Sequence, residues 1–248
     1  MNILYKQPYW IKYKWDLSYH DDNQYVTPFN KEQNLELNNC FHQKKWTLNV
    51  FFKLIPNSFT DKIFCIIGKP GKNMGITFNT ESESLAFEFW TKVPKKDDQF
   101  NWVGFYGITK SDLENLDLVL SVVRENNKIL LYKNYDLINE QEFEGELIDD
   151  YKEEGIIIGA GNPGTFVEEH RYFGQFDIKH LSFIKNKTDI NFALETFTTP
   201  VEKLLNKSHY NDILFLFDFK HKNNFNIILD ESKNNNFMEK LPLEFLTN

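Results

Sequence analysis

Apolar and polar positions alternate with a period of two in one segment after another. In Trp46–Leu54 the residues Trp46, Leu48, Val50, Phe52 and Leu54 share one face, while Thr47, Asn49 and Lys53 share the other. That is the pattern of a strand with one buried face. Leu118, Leu120 and Val122 alternate in the same way up to Asn126-Asn127, and Ile129–Tyr132 supplies a return strand. Asn tolerates the positive φ of a tight hairpin turn, so a turn is expected there. Met74–Asn79 and Leu85–Trp90 flank a polar connection, Thr80–Ser84, as the arms of a hairpin would.

Other segments are apolar without a clean alternation. Ile63–Ile67 runs into Gly68-Lys69-Pro70-Gly71, and Ile156–Ile158 into Gly159–Gly164, both breaker-rich loops. In Phe173–Phe183 the residues Phe176 and Ile178 share a face, but Leu181 and Phe183 fall on the opposite phase. A bulge near Lys179-His180 restores both pairs to one core. Thr199–Leu205 carries Pro200 where a first helical turn tolerates it, so a short C-terminal helix is expected. Ile213–Phe219 reads as a further strand.

The segment from Gly174 through Phe176, Asp177, Ile178, Leu181 and Phe183 to Asn186 resembles the closing strand of laminin-G-like jelly rolls. Gln24–Thr27 and Trp46–Leu54 resemble that family's early strands. The resemblance covers roughly Tyr25 to Asn186 and implies an all-β fold, a two-sheet antiparallel jelly-roll sandwich of the concanavalin A-like class. Phe215–Phe219 with Ile228–Asn236 resembles the segment that opens such a domain, yet here it follows the closing strand. The expected organisation is therefore a sandwich over residues 1–190. Residues 191–248 then complete or extend it, as a permuted or an exchanged strand. Relatives often carry a structural calcium on these motifs. By that resemblance Asp177 and Asp230 are candidate ligands, with an Asx-type turn at Asp230 as the alternative.

Composition narrows the functional classes. A net charge of -8 opposes a nonspecific nucleic-acid binder, which needs a basic face. With 41% hydrophobic and 16% aromatic residues the chain can bury a sizeable core. No run approaches the length that crosses a bilayer, and Met1–Pro8 does not read as a secretory signal, so the chain reads as soluble and without membrane insertion. Cys40 and Cys65 sit among apolar neighbours, as buried thiols do, with a disulfide as the alternative.

Catalytic patterns are weak. Sandwich glycoside hydrolases need paired carboxylates on one strand, and no such pairing occurs; Glu142, Glu144 and Glu146 read as a solvated acidic loop. His170 lacks a second histidine at ligand spacing, and His42 near Cys40 does not establish a nucleophile–base pair. The stronger hint is aromatic. Gln99–Gly107 brings Trp102 and Tyr106 together with Asn101 in what reads as a loop: an aromatic platform plus a planar amide, the usual means of holding a sugar. The same rings could instead cover the core, and Tyr9, Trp10, Tyr13 and Trp15 pose the same choice between an edge strand and a partner contact. The expected function is noncatalytic recognition of a carbohydrate or glycan-bearing surface. A structural assembly protein using terminal strand exchange is the alternative, with possible self-association, and a glycan-active enzyme stands third.

Overall fold

The structure, a computed structural model, describes residues 9–13, 39–54, 63–69, 74–79, 82–94, 99–113, 117–148, 156–158, 176–186, 188–204, 206–219, 227–232, 234 and 236–240. These form two antiparallel sheets, so the expected jelly-roll sandwich is what the chain adopts. The first strands are β1 (Tyr9–Tyr13), β2 (Lys45–Leu54), β3 (Ile63–Lys69), β4 (Met74–Asn79), β5 (Ser84–Lys92) and β6 (Phe100–Thr109). Then come β7 (Leu118–Glu125), β8 (Lys128–Lys133), β9 (Asp136–Glu142), β10 (Glu146–Leu147), β11 (Ile156–Ile158) and β12 (Phe176–Lys185). β13 (Ile213–Asp218), β14 (Ile227–Leu229) and β15 (Asn236–Lys240) close the series. The helices are α1 (Lys110–Leu113), α2 (Ile190–Thr198) and α3 (Val201–Leu204). Among the described residues no helix is long and apolar enough to cross a membrane.

One sheet has six strands in the order β13-β12-β2-β7-β8-β9. The other has nine: β10-β5-β4-β3-β11-β1-β15-β14, with β6 also on β5. β1 lies between β11 and β15, so the aromatic N-terminal segment is an interior strand of the larger sheet and not the added edge strand that its composition suggests. Residues after 190 enter both sheets, with β13 on β12 and β15 on β1.

The two-residue period accounts for the core. Trp46, Leu48, Val50 and Phe52 of β2 are all buried. They pack with Leu118, Leu120 and Val122 of β7 against Phe87, Phe89 and Phe105 of the facing sheet. The expected bulge is present: Ile178 pairs with Phe52 and His180 with Phe51, leaving Lys179 as the extra residue. Ile178, Leu181 and Phe183 are consequently all buried. Asn126 takes φ 57 in the β7–β8 turn.

The other face of the six-stranded sheet is covered too over β13, β12, β2 and β7. Asp189 caps α2, its Oδ1 accepting from the backbone N–H of Asn191 at 2.9 Å and of Phe192 at 3.4 Å. Phe192, Ala193 and Leu204 then bury against Ile184, Ile213 and Leu216. This explains why β13 is apolar at successive positions: both of its faces are covered. The helix expected over Thr199–Leu205 is the shorter α3, and α2 precedes it.

Phe183 joins three other aromatic rings of the core. Its centroid lies 5.4 Å from Phe41, 5.5 Å from Trp46 and 5.6 Å from Phe215. Phe183→Ala should therefore cost about 3–5 kcal/mol, read as a lower urea midpoint with an unchanged slope. A loss below about 1 kcal/mol would show that these rings are not the core's keystone.

Candidate functional site

The segment carrying Trp102 and Tyr106 is a strand, not a loop. β6 pairs with β5 from Ser84↔Thr109 to Lys92↔Phe100, with one register shift between Leu85 and Ala86. Strand pairing divides its side chains between two faces. Phe105 and Ile108 enter the core, whereas Phe100, Trp102 and Tyr106 stay exposed, at 36%, 44% and 39% of their surface. Those three share a face with Gly104, in a row about 20 Å long at the usual strand rise.

Gly104 determines how the rings sit. A Cβ on Gly104 would lie 2.7 Å from Trp102 Cη2 and 2.8 Å from Tyr106 Cε2. Both rings thus lean over the position where any other residue would project a side chain. Their centroids are 5.9 Å apart at 53°. On the neighbouring strand Trp90 stands opposite Trp102, and Glu88 opposite Gly104. From behind, the Asn139 amide donates to the Tyr106 carbonyl at 2.6 Å.

Glu88 is the polar group of this face. The Tyr106 hydroxyl donates to its Oε1 over a long 3.5 Å. Burial pushes the Glu88 carboxyl above the ordinary carboxylate range, and hydrogen bonds from Thr77 and Tyr106 only partly oppose this. Tyr106 is pushed up to about 12, first by burial, then by the charge of Glu88 and the hydrogen bond to it. The pair is one hydroxyl and one carboxyl, set beside the opposed Trp90 and Trp102 on the same two strands.

The structure brings together Trp102 and Tyr106 but not Asn101. Asn101 pairs with Thr91, and alternation directs it to the face opposite the two rings. Glu88 and Phe100 take its place on the aromatic face. Glu88 is invisible in a linear reading because only the β5–β6 register sets it beside Gly104.

Asp177 and Asp230 are not brought together either. Asp177 lies on β12 opposite Lys53, while Asp230 binds the backbone of β13 at Leu216, which pairs with Ser182. From Asp177 to Ser182 the strand runs on the order of 15 Å. Asp230 Oδ1 accepts from the backbone N–H of Leu216 at 2.8 Å and of Ser232 at 2.7 Å, and Oδ2 from the Ser232 hydroxyl at 2.6 Å. This is an Asx-type turn that also engages the outer edge of β13, and it does not fit a calcium shared with Asp177. Among the described residues no group of three or more His, Cys, Asp or Glu could hold a metal. Cys40 is a buried thiol. Glu142 ends β9 and Glu146 opens β10, with Glu144 between the two strands, and all three are exposed to solvent as expected. His170, Trp15, Gln24–Thr27 and Gly159–Gly164 lie outside the described residues.

No family model and no curated protein matches the chain. Among solved structures, a Bacteroides ovatus protein to which carbohydrate binding has been ascribed is similar with a TM-score of 0.56 at 10% identity, over 97% of this chain and 59% of that one. The shared feature is the jelly-roll fold. This chain spans less than two thirds of that structure's length. Weaker likenesses are the CBM40 domain of Ruminococcus gnavus IT-sialidase bound to alpha2,3 sialyllactose and the LG4-5 domains of the mouse laminin alpha1 chain. Both are 11% identical, with TM-scores of 0.35 and 0.36; they match 55% and 56% of this chain and 76% and 34% of their own.

The raised carboxyl predicts how stability depends on pH. A carboxyl with a raised folded-state pKa stabilises the fold fully below its unfolded pKa, and that contribution is lost as pH climbs through the folded value. Glu88→Gln should therefore gain stability over the parent as pH rises from about 4 to about 7, measured as the difference in melting temperature. The same variant should lower the Tyr106 pKa from about 12, because the carboxylate charge no longer opposes the tyrosinate; ultraviolet titration reads it. An unmoved tyrosine would mean that Glu88 and Tyr106 are not coupled.

Proposed function

We propose that this chain is a noncatalytic recognition domain that binds saccharide on the exposed aromatic face of β5 and β6. The observation that carries the reading is the pair of exposed rings closed over Gly104 beside the Glu88 carboxyl. A pyranose presents an apolar C–H face and a rim of hydroxyls. Trp102 and Tyr106 offer ring area to the first, and Glu88 with the Tyr106 hydroxyl offers hydrogen bonds to the second. Phe100 and Trp90 extend the surface along and across the strands, so an oligosaccharide fits the row better than a single ring. The Bacteroides ovatus likeness supports the reading through the fold.

Catalysis would need a second carboxylate working with Glu88. On this face Glu88 accepts from the Tyr106 hydroxyl, a neutral donor and not a second carboxylate. The alternative of strand exchange through β13 is disfavoured because that strand pairs with β12 in its own chain and its outer edge binds Asp230, Glu231 and Asn234.

A glycan array followed by calorimetry on the best hit tests the reading. Trp102→Ala and Tyr106→Ala should each weaken binding by about tenfold, roughly 1.4 kcal/mol, while the melting temperature changes little because both rings are exposed. Unchanged affinity in the folded double variant sinks the site. Native mass spectrometry on the same sample separates recognition from assembly, since a stable oligomer with no array signal would favour the structural alternative.

A further inference from the structure

A cleft of about 540 Å³ opens where the β7–β8 turn, the start of β2 and β10 meet, and His42, Lys44, Arg124, Asn127 and Glu146 line it. Arg124 is the unusual member. It is only 6% exposed. Its Nε donates to the Asn126 carbonyl and its Nη1 to the Phe41 carbonyl, both at 2.8 Å, and the guanidinium lies 5.5 Å from the centroid of the Phe143 ring. Those partners are neutral. Among the described residues no carboxylate lies within ion-pair distance of Arg124 or of Lys44, although Glu146 shares the cleft.

A buried cation without a counter-charge is costly, and proteins seldom keep one without a use. Burial pushes Arg124 down to about 10, which still leaves it charged at neutral pH. Among the described residues Nη2 makes no hydrogen bond. The guanidinium fork is suited to an oxyanion, since its planar N–H groups match two oxygens of a carboxylate or sulfate. The surroundings are rigid. Gly145 has φ +88, and a Cβ there would lie 2.0 Å from the Lys92 carbonyl oxygen, so the backbone leading into β10 is pressed against the end of β5.

We propose that this cleft is an anion site, in which Arg124 with Lys44 and Asn127 holds one carboxylate or sulfate group. The group comes either from a free anion or from an acidic substituent of a saccharide. The site does not depend on the aromatic face, because none of its residues lies on the exposed row of β6.

Calorimetry and amide–indole NMR on the full chain test it, with sodium sulfate, sodium glucuronate and glucose as probes at matched ionic strength. The Trp46 indole is a built-in reporter, because its N–H donates at 3.0 Å to the same Phe41 carbonyl that Arg124 engages. The expected result is millimolar binding of anions, a shifted Trp46 indole resonance, and no response to glucose. Sulfate and glucuronate binding alike assigns a free-anion site; glucuronate alone assigns an acidic saccharide. Arg124→Met should abolish the response, and if it misfolds, Lys44→Gln and Asn127→Ala should each weaken binding by about threefold or more. The Trp102→Ala, Tyr106→Ala double variant should keep anion binding in full. Absence of heat and of an indole shift at about 50 mM anion overturns the proposal. So does binding that both cleft variants leave intact or that the aromatic double variant removes.

Discussion

Trp46 is the largest fully buried side chain, and its indole N–H must find an acceptor where two apolar sheets meet. The Phe41 carbonyl provides it at 3.0 Å. That carbonyl is available because residues Cys40–His42 make one 3-10 turn just before β2, with Phe41 itself buried edge-on against Trp46 at 5.4 Å. Phe87 from the facing sheet and Phe183 from β12 close around the indole. One hydrogen bond thus fixes the start of β2, and β2 sets the register of β7 on one side and β12 on the other. The same carbonyl also accepts from Arg124, so the core anchor and the floor of the anion cleft share an atom.

Where large apolar side chains recur at every second position, the architecture is legible in the chain, even in β2 and β7, whose second faces are buried as well. The alternation in β2 and β7, the Asn126 turn and the bulge at Lys179 are local consequences of side-chain phase, and the phase can be read residue by residue. What could not be read depends on long-range pairing. β13 offers no alternation because the helices cover its second face, and α2 begins in a polar stretch whose signal is the single cap Asp189. The interior place of β1 needs β11 and β15 as neighbours, far away in sequence.

The candidate site shows the same division. Trp102 and Tyr106 are conspicuous because exposed aromatics are uncommon, but the linear pattern places them in a loop and gives them Asn101 as a partner. Pairing with β5 makes the segment a strand, turns Asn101 to the other face and substitutes Glu88. The difference matters for binding. Rings on a paired strand, seated over a glycine, lose little freedom when a ligand arrives, whereas loop residues would have to be ordered at that moment.

The sandwich is also asymmetric in a way that decides where recognition can occur. Over β13, β12, β2 and β7 the six-stranded sheet is covered on its outer side by the helices, and two of its outward polar residues tie it to α2: Asn49 Nδ2 donates to Ser182 Oγ at 3.1 Å, and that hydroxyl lies 3.1 Å from Thr196 Oγ1 of α2. Beneath the helices that face is packed, whereas β9 at the far edge keeps Leu137 47% exposed. Along β5 and β6 the corresponding outward face keeps aromatic area in solvent together with a carboxyl whose burial disfavours its charge. Exposed ring area and a desolvated carboxyl each cost free energy in the unbound protein, and a ligand with both an apolar face and hydroxyl donors relieves both at once.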